Sequence, residues 1–441
     1  MKDNRILPLI AMVALLVGIV TAYFTIPLQI HTSATNDGDT ARLRLHCPDQ
    51  RWTPVRVLGL ENIRTIAFQE GYLVALDSSG QRWSYFAQPA TSCETQAVAM
   101  GPVRHGVNDV SPPEGMSRIV SSAGGGVGLS INGTLVTWRT ADGQPVCAAG
   151  LTGSDCGGFA GRTYTDISDV AQGASHLLMV TRDGGVLSVG MNDCGQLGRT
   201  GRNSPSGALL VGPVPGLADV VAVAAGKRSS MALGRDGRVW TWGNLSHPLV
   251  GSSTPSQPTE YALYCGPFHN PFGLPEAADT TPAVVAGLPP VVAISSFHGF
   301  DLALDRKGHV WGWGYNDCGQ IGGDPRTLVH TAGFQASPRM IGGLPAVRAI
   351  AAGRRHALFL GKDGSVWVTG DNEFGQLAMR GGLPSNVAIC LSSTRRAGVD
   401  GYSEKPRRVE GIGSAVAVAA GSGHSAAVDS NGHVWLWGRY P

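Results

Sequence analysis

Residues 233–243 read Leu-Gly-Arg-Asp-Gly-Arg-Val-Trp-Thr-Trp-Gly, and residues 304–314 and 428–438 are near-copies of this stretch. The pattern is a glycine-bearing turn followed by an apolar stretch that usually contains tryptophan, and it recurs seven times in the 441-residue chain. The turn glycines are Gly80, Gly133, Gly184, Gly237, Gly308, Gly364 and Gly432. Such repetition determines the architecture before any local motif does, because each unit must bury its apolar face against its neighbours.

Each unit is predicted to fold as an antiparallel β-meander. Asp-Gly or Asn-Gly between apolar stretches is a strong hairpin signal, because both turn positions can require a positive φ. Residues three and five positions after the turn glycine share one face of a strand, and nine of the ten tryptophans occupy these positions. An extended stretch such as Pro338–Leu344 opens a unit. Four strands in each of seven units predict an all-β fold, a seven-bladed β-propeller with four-stranded blades.

Three further motifs recur at fixed offsets. Ala-Ala-Gly stands at Ala224–Gly226, Asp-Gly-x-Val-Trp-x-Trp-Gly at Asp236–Gly243, and Asn-x-x-Gly-Gln-Leu-Gly at Asn192–Gly198, with copies of the last at Asn316–Gly322 and Asn372–Leu377. This spacing resembles the repeat of the regulator-of-chromosome-condensation family, a seven-bladed propeller, over roughly residues 54–438. The resemblance implies a propeller. It also suggests two candidate activities that similar proteins have. One is guanine-nucleotide exchange with chromatin binding, and the other is the inhibition of β-lactamases by a secreted bacterial protein.

The two ends of the repeat region are predicted to build one blade together. The chain stops at Arg439–Pro441, just after the seventh Trp strand, and the first opener, Thr53–Val57, has no preceding unit. We therefore expect Thr53–Val57 to pair beside Trp435–Trp437, which would remove the exposed sheet edges of an open arc.

The N-terminus predicts export. Ile6–Ile30 contains 25 residues without a charge, and Lys2 and Arg5 precede it. About 20 helical residues cross a bilayer, whereas the apolar part of a cleaved signal is about 7–15 residues long. The predicted organisation is an uncleaved signal-anchor transmembrane helix over 1–30, a tether over 31–50 and the propeller over 51–441. The propeller then lies outside the cytoplasm, membrane-anchored, or secreted if the leader is cleaved.

The cysteines support the same location. Eight cysteines allow 105 pairings, which sequence alone cannot resolve. Repetition favours pairing each of two cysteines at one repeat position, Cys194 and Cys318, with the next cysteine along the chain. The favoured pairs are Cys194–Cys265, Cys318–Cys390, Cys147–Cys156 and Cys47–Cys93. The alternative, eight buried free thiols, suits a cytosolic protein better.

Charge and motifs exclude several function classes. The chain has 34 basic and 32 acidic side chains, a net charge of +2 and a pI near 8.1. Nucleic-acid binders usually carry a basic stripe and a higher pI, so we expect no nucleic-acid partner. No hydrolase elbow, phosphate-binding loop or zinc motif occurs. The sequence therefore predicts no catalytic residue, no cofactor and no metal site.

Two repeated residue types allow an alternative interpretation. His176, His356 and His424 share one repeat position, so they suggest either a symmetric metal or proton site or, as we favour, a structural role beside the glycine corner. The recurring tryptophans suggest either a sugar-binding platform or, as we favour, packing between blades.

Departures from the repeat are the predicted binding elements, because loops on a rigid scaffold concentrate binding and aromatic and Arg residues anchor interfaces. The insertions, which we expect to lie between blades, are Asn244–Thr281, Ala378–Lys405 and Arg139–Thr163. The candidate partner-binding residues are Tyr261, Tyr264, Phe268 and Phe272 in the first insertion and Arg395 and Arg396 in the second. The alternative is that these loops are only disulfide-pinned padding.

The sequence as a whole predicts a monomeric, noncatalytic, extracytoplasmic scaffold. It would bind a protein partner through these insertions, and inhibition of that partner is one form that the binding could take. An envelope glycan-acting enzyme or lectin is the second interpretation. A guanine-nucleotide exchange factor is the third, and it rests on family analogy alone.

Overall fold

The computed structural model describes residues 53–57, 59–69, 72–79, 82–85, 116–122, 125–138, 163–192, 194–199, 211–244, 278–324, 327–328, 334–379 and 401–438. All of them fall within the predicted propeller. No α-helix occurs among them, and hence none that is long and apolar enough to cross a membrane. The predicted anchor, Ile6–Ile30, lies outside the described residues, as does the predicted tether over 31–50.

The described strands form seven antiparallel sheets, numbered here in chain order. Sheet 1 contains β2 (Ile63–Gln69), β3 (Tyr72–Asp77) and β4 (Arg82–Tyr85), and sheet 2 contains β5 (Met116–Ser122), β6 (Gly125–Ser130) and β7 (Leu135–Trp138). Sheet 3 contains β8 (Ile167–Gln172), β9 (His176–Thr181), β10 (Val186–Gly190) and β11 (Gly212–Pro213). Sheet 4 contains β12 (Val220–Ala225), β13 (Ser229–Gly234), β14 (Val239–Asn244) and β15 (Ala278–Val284).

The remaining three sheets also have four strands each. Sheet 5 contains β16 (Val291–Phe297), β17 (Phe300–Asp305), β18 (Val310–Tyr315) and β19 (Phe334–Met340). Sheet 6 contains β20 (Val347–Ala352), β21 (His356–Gly361), β22 (Val366–Asp371) and β23 (Tyr402–Arg408). Sheet 7 contains β24 (Ala415–Ala420), β25 (His424–Asp429), β26 (Val434–Gly438) and β1 (Val55–Arg56).

The first strand of each sheet is its inner strand, and consecutive inner strands contact one another from β2 through β5, β8, β12, β16 and β20 to β24. Strand β24 in turn contacts β2. The fold is therefore an all-β propeller, as the repeats predict. The extended openers prove to be the fourth strands, each paired beside the preceding Trp strand, as in Trp311↔Met340.

The predicted pairing of the chain ends is confirmed. Val55 pairs with Leu436 and Arg56 with Trp435 in antiparallel register, and the Val57 N–H donates to the Val434 carbonyl over 2.8 Å. Val57 is 2% exposed, because its side chain enters the apolar cluster between sheets 7 and 1.

The turn between the second and third strands of a sheet is joined to the following sheet. The Gly184 carbonyl accepts a hydrogen bond from Val220 N over 3.0 Å, and Gly184 has φ +85° because the turn is left-handed there. A Cβ on Gly184 would lie 2.8 Å from Asp219 Cα, so the close approach also requires glycine. Five more turn carbonyls make the same bond to the next inner strand: Gly133, Gly237, Gly308, Gly364 and Gly432. The bond from Gly432 goes to Ile63 of sheet 1 and so joins the last sheet to the first.

Candidate partner-binding face

The antiparallel strand order fixes which connections lie together. Turns between first and second strands, and connections between third and fourth strands, leave from one end of each sheet, which we call the loop face. Turns between second and third strands lie at the opposite end, the hairpin face. In sheet 4, for example, Asn244 pairs with Ala278, so the connection 245–277 starts and ends on the loop face.

This arrangement corrects the predicted position of the insertions. The sequence interpretation set them between blades, whereas 245–277 joins β14 to β15 and 372–401 joins β22 to β23 within single sheets. The ends of the predicted insertions are strand residues, because the outer strands begin at Ala278 and Tyr402. The third insertion follows β7 and returns at Tyr164, which pairs with Leu135.

The predicted partner-binding residues Tyr261, Tyr264, Phe268, Phe272, Arg395 and Arg396 lie outside the described residues. The same holds for Cys47, Cys93, Cys147, Cys156, Cys265 and Cys390. The other two cysteines, Cys194 and Cys318, are fully buried and disulfide-bonded, so the free-thiol alternative is wrong for them. Their predicted pairings remain predictions.

Two of the three repeated histidines hold neighbouring sheets together. His176 Nε2 of sheet 3 lies 2.8 Å from Ser230 Oγ of sheet 4, and Ser230 Oγ donates to the Gln196 carbonyl over 2.7 Å. Trp242 Nε1 donates to the same carbonyl over 3.0 Å. A Cβ on Gly173 would lie 2.3 Å from His176 Cε1, which explains the glycine at the corner. The favoured structural role is therefore confirmed for His176.

The same arrangement joins sheet 6 to sheet 7. His356 Nε2 lies 3.1 Å from Ser425 Oγ, and Ser425 Oγ and Trp437 Nε1 each donate to the Gln376 carbonyl over 2.9 Å. Burial lowers the pKa of His356 to about 3, so its imidazole is neutral at physiological pH. The third histidine, His424, instead stacks on Phe68 of sheet 1 with ring centroids 5.3 Å apart.

The tryptophans five positions after the turn glycine pack in the core. Trp242, Trp313 and Trp437 are 3%, 2% and 0% exposed, so the favoured packing role is confirmed for them. Thr369 occupies the same position in sheet 6, and its hydroxyl donates to the Gln320 carbonyl over 2.8 Å in place of an indole N–H.

The Gln-bearing connections are themselves fixed by side-chain bonds. Asn192 Oδ1 accepts from Leu197 N over 2.9 Å, and Gln196 Oε1 accepts from Cys194 N over 2.8 Å. Asn316 and Asn372 repeat the first bond, accepting from Ile321 N and Leu377 N. The loop face is therefore rigid where the connections of sheets 3, 5 and 6 leave the third strand.

Sequence reasoning missed a group of basic side chains on this face. We call Lys227, Arg228, His298, Arg354 and Arg355 the basic turn cluster, because all five lie in turns between first and second strands of sheets 4, 5 and 6. Lys227-Arg228 and Arg354-Arg355 follow the corner glycines Gly226 and Gly353 at equal offsets, and aligning the repeats on those glycines would have revealed them.

The pKa values of this cluster reflect burial and mutual repulsion. Burial, and then the charge of Lys227, lowers the pKa of His298 to about 4, and both arginines of sheet 6 act in the same direction. Partial burial likewise lowers the pKa of Lys227, with Arg228 and Arg354 adding to the effect. Arg355 has a carboxylate partner, since its Nη2 lies 3.5 Å from Asp317 Oδ2. Among the described residues, no group of three or more His, Cys, Asp or Glu side chains is arranged to hold a metal ion.

Comparison with known proteins addresses the repeat itself. Two sequence profiles, both described as the regulator of chromosome condensation (RCC1) repeat, match residues 167–196, 220–246 and 347–376, and residues 307–360 and 363–428. A human protein named probable E3 ubiquitin-protein ligase HERC6 is 28% identical over 287 residues, which is 63% of this chain. The chain spans only 24% of the length of that relative.

Solved structures show the same fold. Prp20p from Saccharomyces cerevisiae superposes with a TM-score of 0.57 at 18% identity, covering 86% of this chain and 83% of that one. Human WBSCR16 superposes with a TM-score of 0.57 at 19% identity, covering 93% and 94%. The matched repeats are therefore repeats of the regulator of chromosome condensation family, and the chain folds as a β-propeller.

Proposed function

We propose that this protein is a noncatalytic interaction scaffold, a complete seven-bladed propeller that binds a protein partner on its loop face. The observation that carries the proposal is the segregation of the two faces. The turn carbonyls of the hairpin face are bonded to the next sheet, whereas the loop face carries the long connections and the basic turn cluster. Variable connections on a rigid scaffold are the usual location of binding residues.

The proposal of a complete ring is supported by the seven sheets, by the contact between β24 and β2, and by the pairing of β1 with β26. The noncatalytic role is consistent with how the repeated polar and aromatic residues are used. His176, His356, Trp242 and Trp437 are committed to contacts between sheets, so they are not presented to a substrate.

A propeller of this fold is described as engaging proteins. The published description of Prp20p concerns its binding to Gsp1p and histones. The partner of this chain is a separate question, because fold similarity at 18% identity does not transfer a partner.

We further propose that the propeller lies outside the cytoplasm and is anchored by Ile6–Ile30. The charge-free segment and the disulfide bonds of Cys194 and Cys318 support this location, because disulfides persist mainly in oxidising compartments. Alkaline phosphatase fused after Pro441 should be active in cells. The control is a fluorescent protein that folds in the cytoplasm, fused at the same position. An inactive phosphatase fusion together with a fluorescent control fusion would refute the location.

Capture experiments test partner binding. The full chain with Tyr261, Tyr264, Phe268 and Phe272 all changed to Ala should lose the proteins that the native chain captures from envelope extract. A matched control carries Ile131→Ala and Met340→Ala, which remove two exposed apolar side chains away from the long connections, 68% and 48% exposed. Equal capture by all three proteins, each with an unchanged melting temperature, would contradict the proposal for this insertion.

A further inference from the structure

The basic turn cluster is assembled from three neighbouring sheets. The inner strands β12, β16 and β20 contact one another in order. A Cβ on Gly226 would lie 2.8 Å from Ser296 Oγ, and Ala352 N donates to Ser295 Oγ over 3.0 Å. Because these contacts bring the ends of the inner strands together, side chains 127 residues apart, such as Lys227 and Arg354, belong to one surface.

Much of the positive charge of this surface is available to a ligand. Lys227 and Arg354 are exposed, and neither forms an ion pair within the part of the chain that the structure describes. Lys227 also lies near Arg228 and Arg354, which repel it. An anion bound here would relieve that repulsion and gain attraction to several cations at once.

The cluster is compact, and this favours one kind of anion. The equivalent turns of sheets 3 and 7, Gly173–Ser175 and Gly421–Gly423, contain no charged residue, so the positive charge is confined to one side of the ring. A nucleic acid requires a longer basic stripe that follows several phosphates. One or two carboxylates match a cluster of this size, since arginine binds a carboxylate through paired N–H donors.

We propose that the basic turn cluster binds carboxylate groups in an acidic segment of a protein partner. His298 stays neutral beside the cations and forms part of the wall of the site, where it is half-buried. The inference rests on the proposed function only in taking the ligand to be part of a protein.

Binding of a fluorescein-labelled hexaglutamate peptide, followed by fluorescence anisotropy at low salt, tests the site directly. The full chain carrying Lys227→Gln and Arg354→Gln should bind the peptide about tenfold more weakly than the native chain, because two exposed ion pairs are lost. The matched control carries Lys307→Gln and Lys362→Gln, two exposed lysines in turns of the hairpin face, and should bind within about twofold of the native chain.

Three results would overturn the inference. These are no peptide binding by the native chain, equal weakening by both double variants, or tighter binding of a labelled hexanucleotide that the cluster variant abolishes. The last result would assign the cluster to nucleic acid. If the peptide test fails while capture still depends on the aromatic insertion, the proposed function stands. Failure of this inference and failure of the proposed function are therefore distinguishable.

Discussion

At the scale of single residues, the turn between the second and third strands is held by a side chain that accepts backbone hydrogen bonds. This side chain stands at different positions in different units. In the turn of sheet 5, Asp305 Oδ1 accepts from Lys307 N and His309 N over 2.9 Å each, three residues before the turn glycine. In sheet 4, that position is Gly234, and Asp236 accepts from Arg238 N over 2.9 Å instead. In sheets 4 and 5 the turn therefore has one carboxylate at either of two positions, which explains why Lys-Gly can replace Asp-Gly in sheet 5. In sheet 2 a hydroxyl takes the place of the carboxylate, since Ser130 Oγ accepts from Thr134 N over 3.0 Å.

The buried His356 predicts an acid-sensitive fold. Its pKa is about 3 in the folded protein and about 6.5 when the chain is unfolded. Between these values the unfolded state binds the extra proton, so this contribution to stability is full above pH 6.5 and is lost as the pH falls towards 3. The free energy of unfolding, measured by urea denaturation from pH 7 to pH 4, should decline less steeply in His356→Gln than in the native chain.

Ser425→Ala is the matched control for this experiment. It removes the hydroxyl 3.1 Å from His356 Nε2 but keeps the titrating ring, so it should destabilise the protein while retaining the steeper slope. Equal slopes for the native chain and His356→Gln would show that this histidine does not control the acid response.

At the scale of elements, the residue that follows the fourth strand makes the same contact in each of the five four-stranded sheets. Val214, Val285, Ile341 and Val409 each donate a backbone hydrogen bond to the third strand of their own sheet, and Val57 does the same in sheet 7. In sheet 7 alone among the described sheets, this strand comes from the opposite end of the chain. A two-residue strand, β1, therefore fastens the ring.

Val57→Ala should lower the free energy of unfolding by about 2 kcal/mol, because two buried methyl groups are removed from the cluster between sheets 7 and 1. Arg56→Ala, at the neighbouring exposed position of β1, should change it by less than about 0.5 kcal/mol. Urea unfolding of both variants measures the difference, and equal values would argue against ring closure at this residue.

The elements were largely predictable because the signals that specify each unit are local. Its turn glycine, Asp-Gly pair and Trp positions lie within about twenty residues of one another. The pairing of Thr53–Val57 with the last Trp strand followed from counting strands in each unit, and the structure bears it out. The basic turn cluster was missed because its residues come from separate units, and only closure of the ring brings Lys227 near Arg354. The insertions were assigned between blades because each opener was grouped with the unit that follows it along the chain, whereas it pairs with the preceding Trp strand.

At the scale of the whole molecule, disulfides supplement a ring whose blades contact mainly their neighbours. Each predicted pair, Cys194–Cys265 and Cys318–Cys390, would close a loop of about 70 residues, worth roughly 4 kcal/mol in the chain-entropy account. Peptide mapping without reductant should recover both pairs, and reduction should lower the melting temperature. Recovery of either described cysteine with a different partner would refute the pairing inferred from repetition.

The hydrogen bonds from the turn carbonyls of the hairpin face bear on how this protein can change over evolution. An insertion there would break a bond on which the adjoining sheet depends, whereas lengthening a connection on the opposite side leaves every such bond intact. New binding specificities can therefore arise by exchanging one connection of the loop face at a time. Descendants of this chain should diverge on one side of the ring and stay alike on the other.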